Sequence, residues 1–157
     1  MKIKLLVVGK TDAPYLREGI AHYEQRLRHY IPLEMTVIPD LRQRGKYSPE
    51  QQKVEEGHAL LKHIAPTDQV WLLDERGKSF TSKGLSGFMQ TSMNAGHKWL
   101  VFVVGGPYGF SEAVYARAQG RISLSDMTFS HQMVRLFFME QLYRAFTILR
   151  GEPYQHD

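Results

Sequence analysis

Six consecutive residues, Trp99-Leu100-Val101-Phe102-Val103-Val104, are all apolar and run straight into Gly105-Gly106-Pro107. A run that is apolar throughout is expected of a central strand covered on both faces. Such a strand belongs in a parallel sheet, and parallel neighbours need crossover connections, usually helices. The rest of the chain must therefore supply further strands and the helices between them.

It does so in regular alternation. Ile3, Leu5, Leu6, Val7 and Val8 form a β-rich run ended by Gly9. Thr11 or Asp12 is expected to cap a helix with Pro14 in its first turn. Leu16, Ile20, Tyr23, Leu27 and Tyr30 then step by four and three along one helix face. Pro32 precedes a second strand, Leu33 to Ile38, and the loop from Asp40 to Tyr47 follows. Ser48-Pro49-Glu50-Gln51 reads as a capping box that opens a helix to about Ile64. Gln69 to Asp74 is the third strand, and Glu75-Arg76-Gly77-Lys78 reads as a polar turn before a helix starting at Ser82. Beyond the central strand, Ser111 caps a short helix from Glu112 to Ala118, and Ile122 to Leu124 is a last strand. His131 to Arg150 is a long apolar helix closed by Gly151. Five strands alternating with five helices predict an α/β fold with a largely parallel sheet. Ligands in such sheets sit where loops leave the carboxyl ends of strands. Here those loops follow Leu73-Asp74, Val104 and Leu124.

A chain of 157 residues fits one domain spanning 1–157, with a core that needs no staples. Its 43% hydrophobic and 23% charged content excludes disorder and collagen-like repeats. The absence of cysteine excludes a disulfide scaffold and a thiolate zinc site, and suits a cytoplasmic protein. The charge-free, apolar-led stretch from Trp99 to Ser111 holds three glycines and a proline, well short of the about 20 apolar residues of a membrane span. No membrane partner is expected.

The net charge of +4 is spread evenly over the two halves of the chain, with two local biases. Arg42-Gln43-Arg44-Gly45-Lys46 is a dense basic loop. After Lys98 every basic residue is an arginine, at positions 117, 121, 135, 144 and 150. The arginine fork suits bidentate contacts to phosphate or carboxylate. This balance permits a nucleic-acid partner and equally describes a solvated basic face.

Four motifs carry candidate chemistry. Gly105-Gly106-Pro107-Tyr108-Gly109-Phe110 is neither a dinucleotide fingerprint nor a P-loop; it is a ligand loop or a tight turn. Leu124-Ser125-Asp126-Met127-Thr128-Phe129 mixes hydroxyls with apolar surface that could hold an adenine or a thioether, or it simply connects strand to helix. The last helix, with Met133, Phe137, Phe138, Met139, Tyr143 and Phe146, calls for full burial, inside the monomer or against a partner subunit. The tail from Gly151 to Asp157 is short and polar with one aromatic, Tyr154; it frays as termini usually do, or it docks into a site. Glu55, His58 and His63 have poor spacing for a metal, and no metal is expected.

Certain residues, in this order and spacing, form a more specific pattern. They are Met1-Lys2-Ile3 with Val7-Val8-Gly9, Leu73-Asp74 with Gly77-Lys78, and Val104-Gly105-Gly106-Pro107 with Gly109-Phe110-Ser111. Ser123-Leu124-Ser125 with Met127-Thr128 and His131, Val134-Arg135, Glu140 through Ala145, and Pro153-Tyr154 complete it. With them the whole chain resembles the small bacterial SPOUT-type methyltransferases that methylate N3 of a pseudouridine in 23S ribosomal RNA. The resemblance implies a SPOUT-type α/β knot, with the C-terminal segment threaded into a trefoil. It implies a homodimer in which each site is completed by the second subunit.

The resemblance also assigns residues. S-adenosylmethionine is expected at Leu73, Gly105, Leu124, Ser125, Asp126, Met127, Thr128 and Phe129. Tyr154 and His156 would organise the base that takes the N3 proton, and His131 would shape the pocket. Arg135 or Arg144 would meet phosphate or stabilise charge, and Arg42, Arg44 and Lys46 would contact RNA in the large subunit or assembled ribosome. The tail departs from the family pattern: Gln155 stands where histidine is usual, and His156 where lysine or arginine is common. That departure motivates a second reading, a non-catalytic ribosome-binding module on the same fold.

Overall fold

The computed structural model describes residues 1–41 and 44–156. Its elements are β1 (Lys2–Val8), α1 (Pro14–Leu27), β2 (Leu33–Ile38), α2 (Pro49–Leu61), β3 (Gln69–Ser79), α3 (Ser82–Asn94), β4 (Trp99–Val104), α4 (Glu112–Arg117), β5 (Gly120–Ser123) and α5 (Met133–Leu149). The strands form one sheet in the order β2-β1-β4-β3-β5, with every neighbouring pair parallel. The apolar run of β4 lies at the centre, in register with Ile3 to Val7 on one side and Gln69 to Leu73 on the other.

Alternate residues of β4 feed two cores. Leu100, Phe102 and Val104 join Ile3, Leu5 and Val7 beneath α1, α3 and α5. Val101 and Val103 join Leu6, Val8, Val70 and Leu72 beneath α2 and α4. Helix α5 packs between α1 and α3, and the Phe138 ring centre is 4.7 Å from that of Phe102. A single chain therefore buries most of α5, so the apolarity of this helix does not by itself demand a partner. Phe137, 39% exposed, is the large exception.

The local signals hold at two helix starts. Ser48 Oγ accepts from the Gln51 backbone N–H at 3.2 Å, and Gln51 Oε1 accepts from the Ser48 N–H at 3.0 Å, the reciprocal capping box. Ser111 caps α4. Helix α3 starts at Ser82 as expected, with Thr81 as its cap. Helix α1 has Ala13 at its N-cap and no side-chain cap, contrary to the expectation for Thr11 or Asp12. Those two are engaged elsewhere: Thr11 Oγ1 accepts from Arg135, and the Asp12 N–H donates to Gln132 Oε1 at 2.9 Å.

The larger correction concerns β3. It does not end in a turn at Glu75–Lys78 but runs on to Ser79 through a bulge. Leu73 and Lys78 both lie opposite Ile122, so Asp74 to Gly77 loop out before Ser79 pairs with Ser123. Gly77 has a steric reason: a Cβ there would lie 2.6 Å from the Arg121 carbonyl carbon and 2.7 Å from the Ile122 nitrogen. Among the described residues no helix is long and apolar enough to cross a membrane.

Candidate functional site

The sheet order decides where the site forms. β5 is an edge strand beyond β3, yet α5 begins beside the end of β1, on the far side of β3 and β4. The segment from Leu124 to Gln132 must therefore cross the carboxyl ends of β3 and β4. Three strand spacings are about 14 Å, within easy reach of nine residues. Beneath this crossing lies a cleft of about 540 Å³, within the range of about 300–1,000 Å³ typical of ligand pockets. Its apolar wall includes Leu73, Val104, Ile122, Leu124, Phe129 and Val134, and the glycine loop Gly105 to Gly109 forms another side.

The crossing segment holds its shape by local bonds. Ser123 Oγ donates to the Ser125 carbonyl at 2.8 Å, and Ser125 Oγ accepts from the Met127 N–H at 2.9 Å. Thr128 Oγ1 donates to Glu75 Oε2 at 2.6 Å, tying the segment to the β3 bulge. Phe129 packs on Phe137 with ring centres 4.8 Å apart. Met127 projects at the mouth, 76% exposed.

The far end of the crossing is fixed by Arg135, which has no exposed surface. Its Nε donates to the His131 carbonyl at 3.1 Å, Nη2 to the Val8 carbonyl at 2.8 Å, and Nη1 to the Gly9 carbonyl at 2.8 Å and Thr11 Oγ1 at 3.1 Å. Burial lowers its pKa, opposed by the nearby Asp12 and Asp40 carboxylates. A guanidinium enclosed in this way does not reach phosphate. The RNA contact expected of Arg135 is corrected to a strut that joins the end of β1 to the start of α5.

The rim of the cleft carries a group the sequence reading missed. Tyr115 donates its hydroxyl hydrogen to Asp74 Oδ2 at 2.5 Å, and Arg76 Nη2 donates to the same hydroxyl oxygen at 2.7 Å. Burial works to raise the Asp74 pKa. The bonds from the Tyr115 hydroxyl, the Arg76 backbone and the Arg76 guanidinium outweigh it and hold the carboxyl below its usual value. Burial and the bond to Asp74 push the Tyr115 phenol up. The signal available in sequence was Asp74 and Arg76 within the polar run Asp74-Glu75-Arg76-Gly77-Lys78, which alone reads as a turn.

The expected catalytic residues do not gather at this cleft within one chain. His131 lines it, together with Leu73, Gly105, Leu124, Ser125, Met127, Thr128 and Phe129, whereas Asp126 is not in its wall. Arg144 and Tyr154 lie at the other end of α5, where Arg144 is about 16 Å along the helix axis from Met133. There the Tyr154 hydroxyl donates to Glu140 Oε1 at 2.9 Å, and Arg144 bonds Glu140 through Nη2. Arg144 Nη1 donates to Gln155 Oε1 at 2.8 Å, and the Arg144 guanidinium stacks on the Tyr154 ring at 4.6 Å. Burial, then hydrogen bonds with Tyr23 and Glu140, raise the Tyr154 pKa far above that of an ordinary phenol. His156 is exposed at the tip of the tail. Lys46 is exposed, for Arg44 only the backbone is described, and Arg42 lies outside the described residues.

Residues 1–156 match the family model described as "Predicted SPOUT methyltransferase". Ribosomal RNA large subunit methyltransferase H of Parabacteroides distasonis is 58% identical over 157 residues, covering all of both chains. The proteins of the same name from Flavobacterium johnsoniae and Porphyromonas gingivalis are 56% identical, over 99% of both chains, and 54% identical, over all of both chains. A crystal structure of a probable methyltransferase from Bordetella pertussis superposes with a TM-score of 0.59, covering 92% of this chain and 94% of that one. At 9% identity, that likeness speaks to fold alone.

Proposed function

The chain belongs to the SPOUT methyltransferase family, and we propose that it transfers a methyl group from S-adenosylmethionine to N3 of a pseudouridine in 23S rRNA of the large ribosomal subunit. The observation that carries the reading is convergence. Leu73, Gly105 and the run from Leu124 to Phe129 are far apart in sequence, yet all but Asp126 line one cleft at the carboxyl end of the sheet. The cleft fits S-adenosylmethionine in chemistry as well as volume. Leu73, Ile122, Leu124 and Phe129 offer apolar surface for an adenine and a thioether, and Ser125, Thr128 and the glycine-loop backbone offer polar partners. The cofactor, when bound, supplies an electrophilic methyl group, and the protein contributes orientation. The crossing of residues 124–132 over the ends of β3 and β4 is where we place the trefoil knot.

The tail cluster supports a homodimer. Arg144 and Tyr154 lie too far along α5 to serve the cleft of their own chain, so a second copy brings them to it. The exposed Phe137 and Met127 beside the cleft mouth are apolar surface for that contact. In the joined site Arg144 stabilises the charge that develops on the imide as N3 loses its proton. Tyr154, held protonated by its raised pKa, positions Arg144 through its ring and through Glu140. His156, exposed on the tail, accepts the proton. Lys46, with Arg42 and Arg44, contacts rRNA phosphate in the cytoplasm, where ribosomes reside.

The test compares 23S rRNA from cells with and without the gene by mass spectrometry of nuclease fragments. One fragment is expected to gain a single methyl, about 14 Da, only when the gene is present. Identical masses would support the non-catalytic module instead.

A further inference from the structure

A second cavity, about 510 Å³, lies beside the cofactor cleft and shares Arg76, Tyr108 and Tyr115 with it as a common wall. Its far side is formed by Lys53 and His58 of α2. Two carboxylates also line it: Glu50, paired with Lys53 at 2.9 Å, and Glu112 at the start of α4. The shared wall is braced from within. Asp74 and Arg76 fix the Tyr115 hydroxyl, and the Arg121 guanidinium lies over the Tyr115 ring at 4.7 Å. Arg121 is exposed, and among the described residues no carboxylate pairs with it. Stacking stiffens a guanidinium while leaving its in-plane N–H edge open to a phosphate.

The other late arginines are placed differently. Arg117 donates to the Ala65 and Asp68 carbonyls, Arg135 is enclosed, and Arg144 is held by Glu140 and Gln155. Arg150 covers the Tyr30 ring, beside the Glu152 carboxylate that Tyr30 binds. Arg121 is exposed and rests on Tyr115, a residue that lines both cavities. Tyr108, 49% exposed, presents a ring on the same wall.

A base that enters the cleft brings its flanking phosphates to the rim. We propose that Arg121, supported by Tyr115 and Arg76, is a phosphate-binding site for the RNA strand beside the target nucleotide, and that the second cavity receives the adjacent nucleotide, stacked on Tyr108. The inference rests on the RNA methyltransferase reading above and adds where the substrate strand runs. The β3 bulge gains a purpose: it carries Asp74 and Arg76 out of the sheet to brace the ring on which Arg121 rests.

The experiment uses the full-length protein and large ribosomal subunits from cells lacking the gene. Binding is measured over a series of salt concentrations for the wild type, Arg121→Ala, Arg121→Lys and the double variant R76A/R121A. Loss of the one phosphate contact to a single strand should flatten the slope of log K against log salt by about 0.7 in Arg121→Ala, and R76A/R121A, which also removes the brace, should flatten it no further. Arg121→Ala should raise KM for subunits about tenfold, with Arg121→Lys in between. Its affinity for S-adenosylmethionine, read by calorimetry, should equal that of the wild type. An unchanged salt slope overturns the proposal, and so does weakened S-adenosylmethionine binding, which would assign the arginine to the cofactor. Wild-type methyl transfer in the same assay separates the two ideas. An inactive wild type defeats the function, whereas an active wild type with indifferent variants defeats only the phosphate site.

Discussion

The two ends of α5 hold their arginines in opposite ways. At the N-terminal end Arg135 is enclosed, and three of its four acceptors are main-chain carbonyls, those of Val8, Gly9 and His131. Those acceptors are fixed by the sheet and the helix start. At the C-terminal end Arg144 bonds side chains, Glu140 and Gln155, on a helix face and a tail. Side chains can exchange partners when another surface arrives. The first end is scaffold for the cofactor cleft; the second is a polar cluster ready to serve a neighbouring subunit.

The sharpest way to break that contrast is to separate the ends genetically. Ser125→Trp fills the cleft, and Arg144→Ala removes the charge from the tail cluster; each variant alone should be inactive. If the cleft of one subunit works with the tail of its partner, refolding the two together restores one intact site in each mixed dimer. Random pairing then yields about a quarter of wild-type activity. A mixture as inactive as its parents would mean that each chain completes its own site.

Stability distinguishes the ends next. Arg135→Met leaves buried carbonyls without donors and should lower the unfolding free energy by about 3 kcal/mol or more. Arg144→Ala, at a partly exposed pair, should lower it by less than about 1 kcal/mol. Urea titrations of both variants check the order, and equal losses would mean that the tail cluster is scaffold too.

These ends also show what sequence could and could not reveal. The apolar β4 run fixed a parallel sheet with helices on both faces because continuous burial leaves few alternatives. Ser48–Gln51 was legible because a capping box is closed within four residues. Arg135 was not, since its fork suits carbonyls and phosphates alike and only the fold decides which surrounds it. The β3 bulge was hidden for a related reason: what demands glycine at position 77 is the backbone of Arg121 and Ile122 on another strand. The resemblance grouped His131 with Arg144 and Tyr154 by role, and the length of α5 separates them.

The smallest expected effect concerns how the tail end is fastened. The Tyr30 hydroxyl donates to Glu152 Oε2 at 2.6 Å, its ring stacks on Phe146, and Arg150 covers it. Burial, then the bond to Glu152 and its charge, push the phenol up to about 12. A raised pKa means the folded state keeps this proton after the unfolded chain has lost it. The contribution is therefore complete below about pH 10, where both states hold the proton, and is lost as pH rises from about 10 to about 12. Tyr30→Phe should cost about 1 kcal/mol at neutral pH through the missing bond. It should also make the alkaline loss of stability shallower than in the wild type, with Tyr154 supplying part of what remains. Urea midpoints measured from neutral pH to about pH 11 test both points, and parallel curves would remove Tyr30 from the alkaline transition. Because this contact lies at the tail end, S-adenosylmethionine affinity at neutral pH should be the same in Tyr30→Phe as in the wild type. A weakened affinity would show that fastening the tail also tightens the cleft, and that the two ends of α5 are coupled rather than separate.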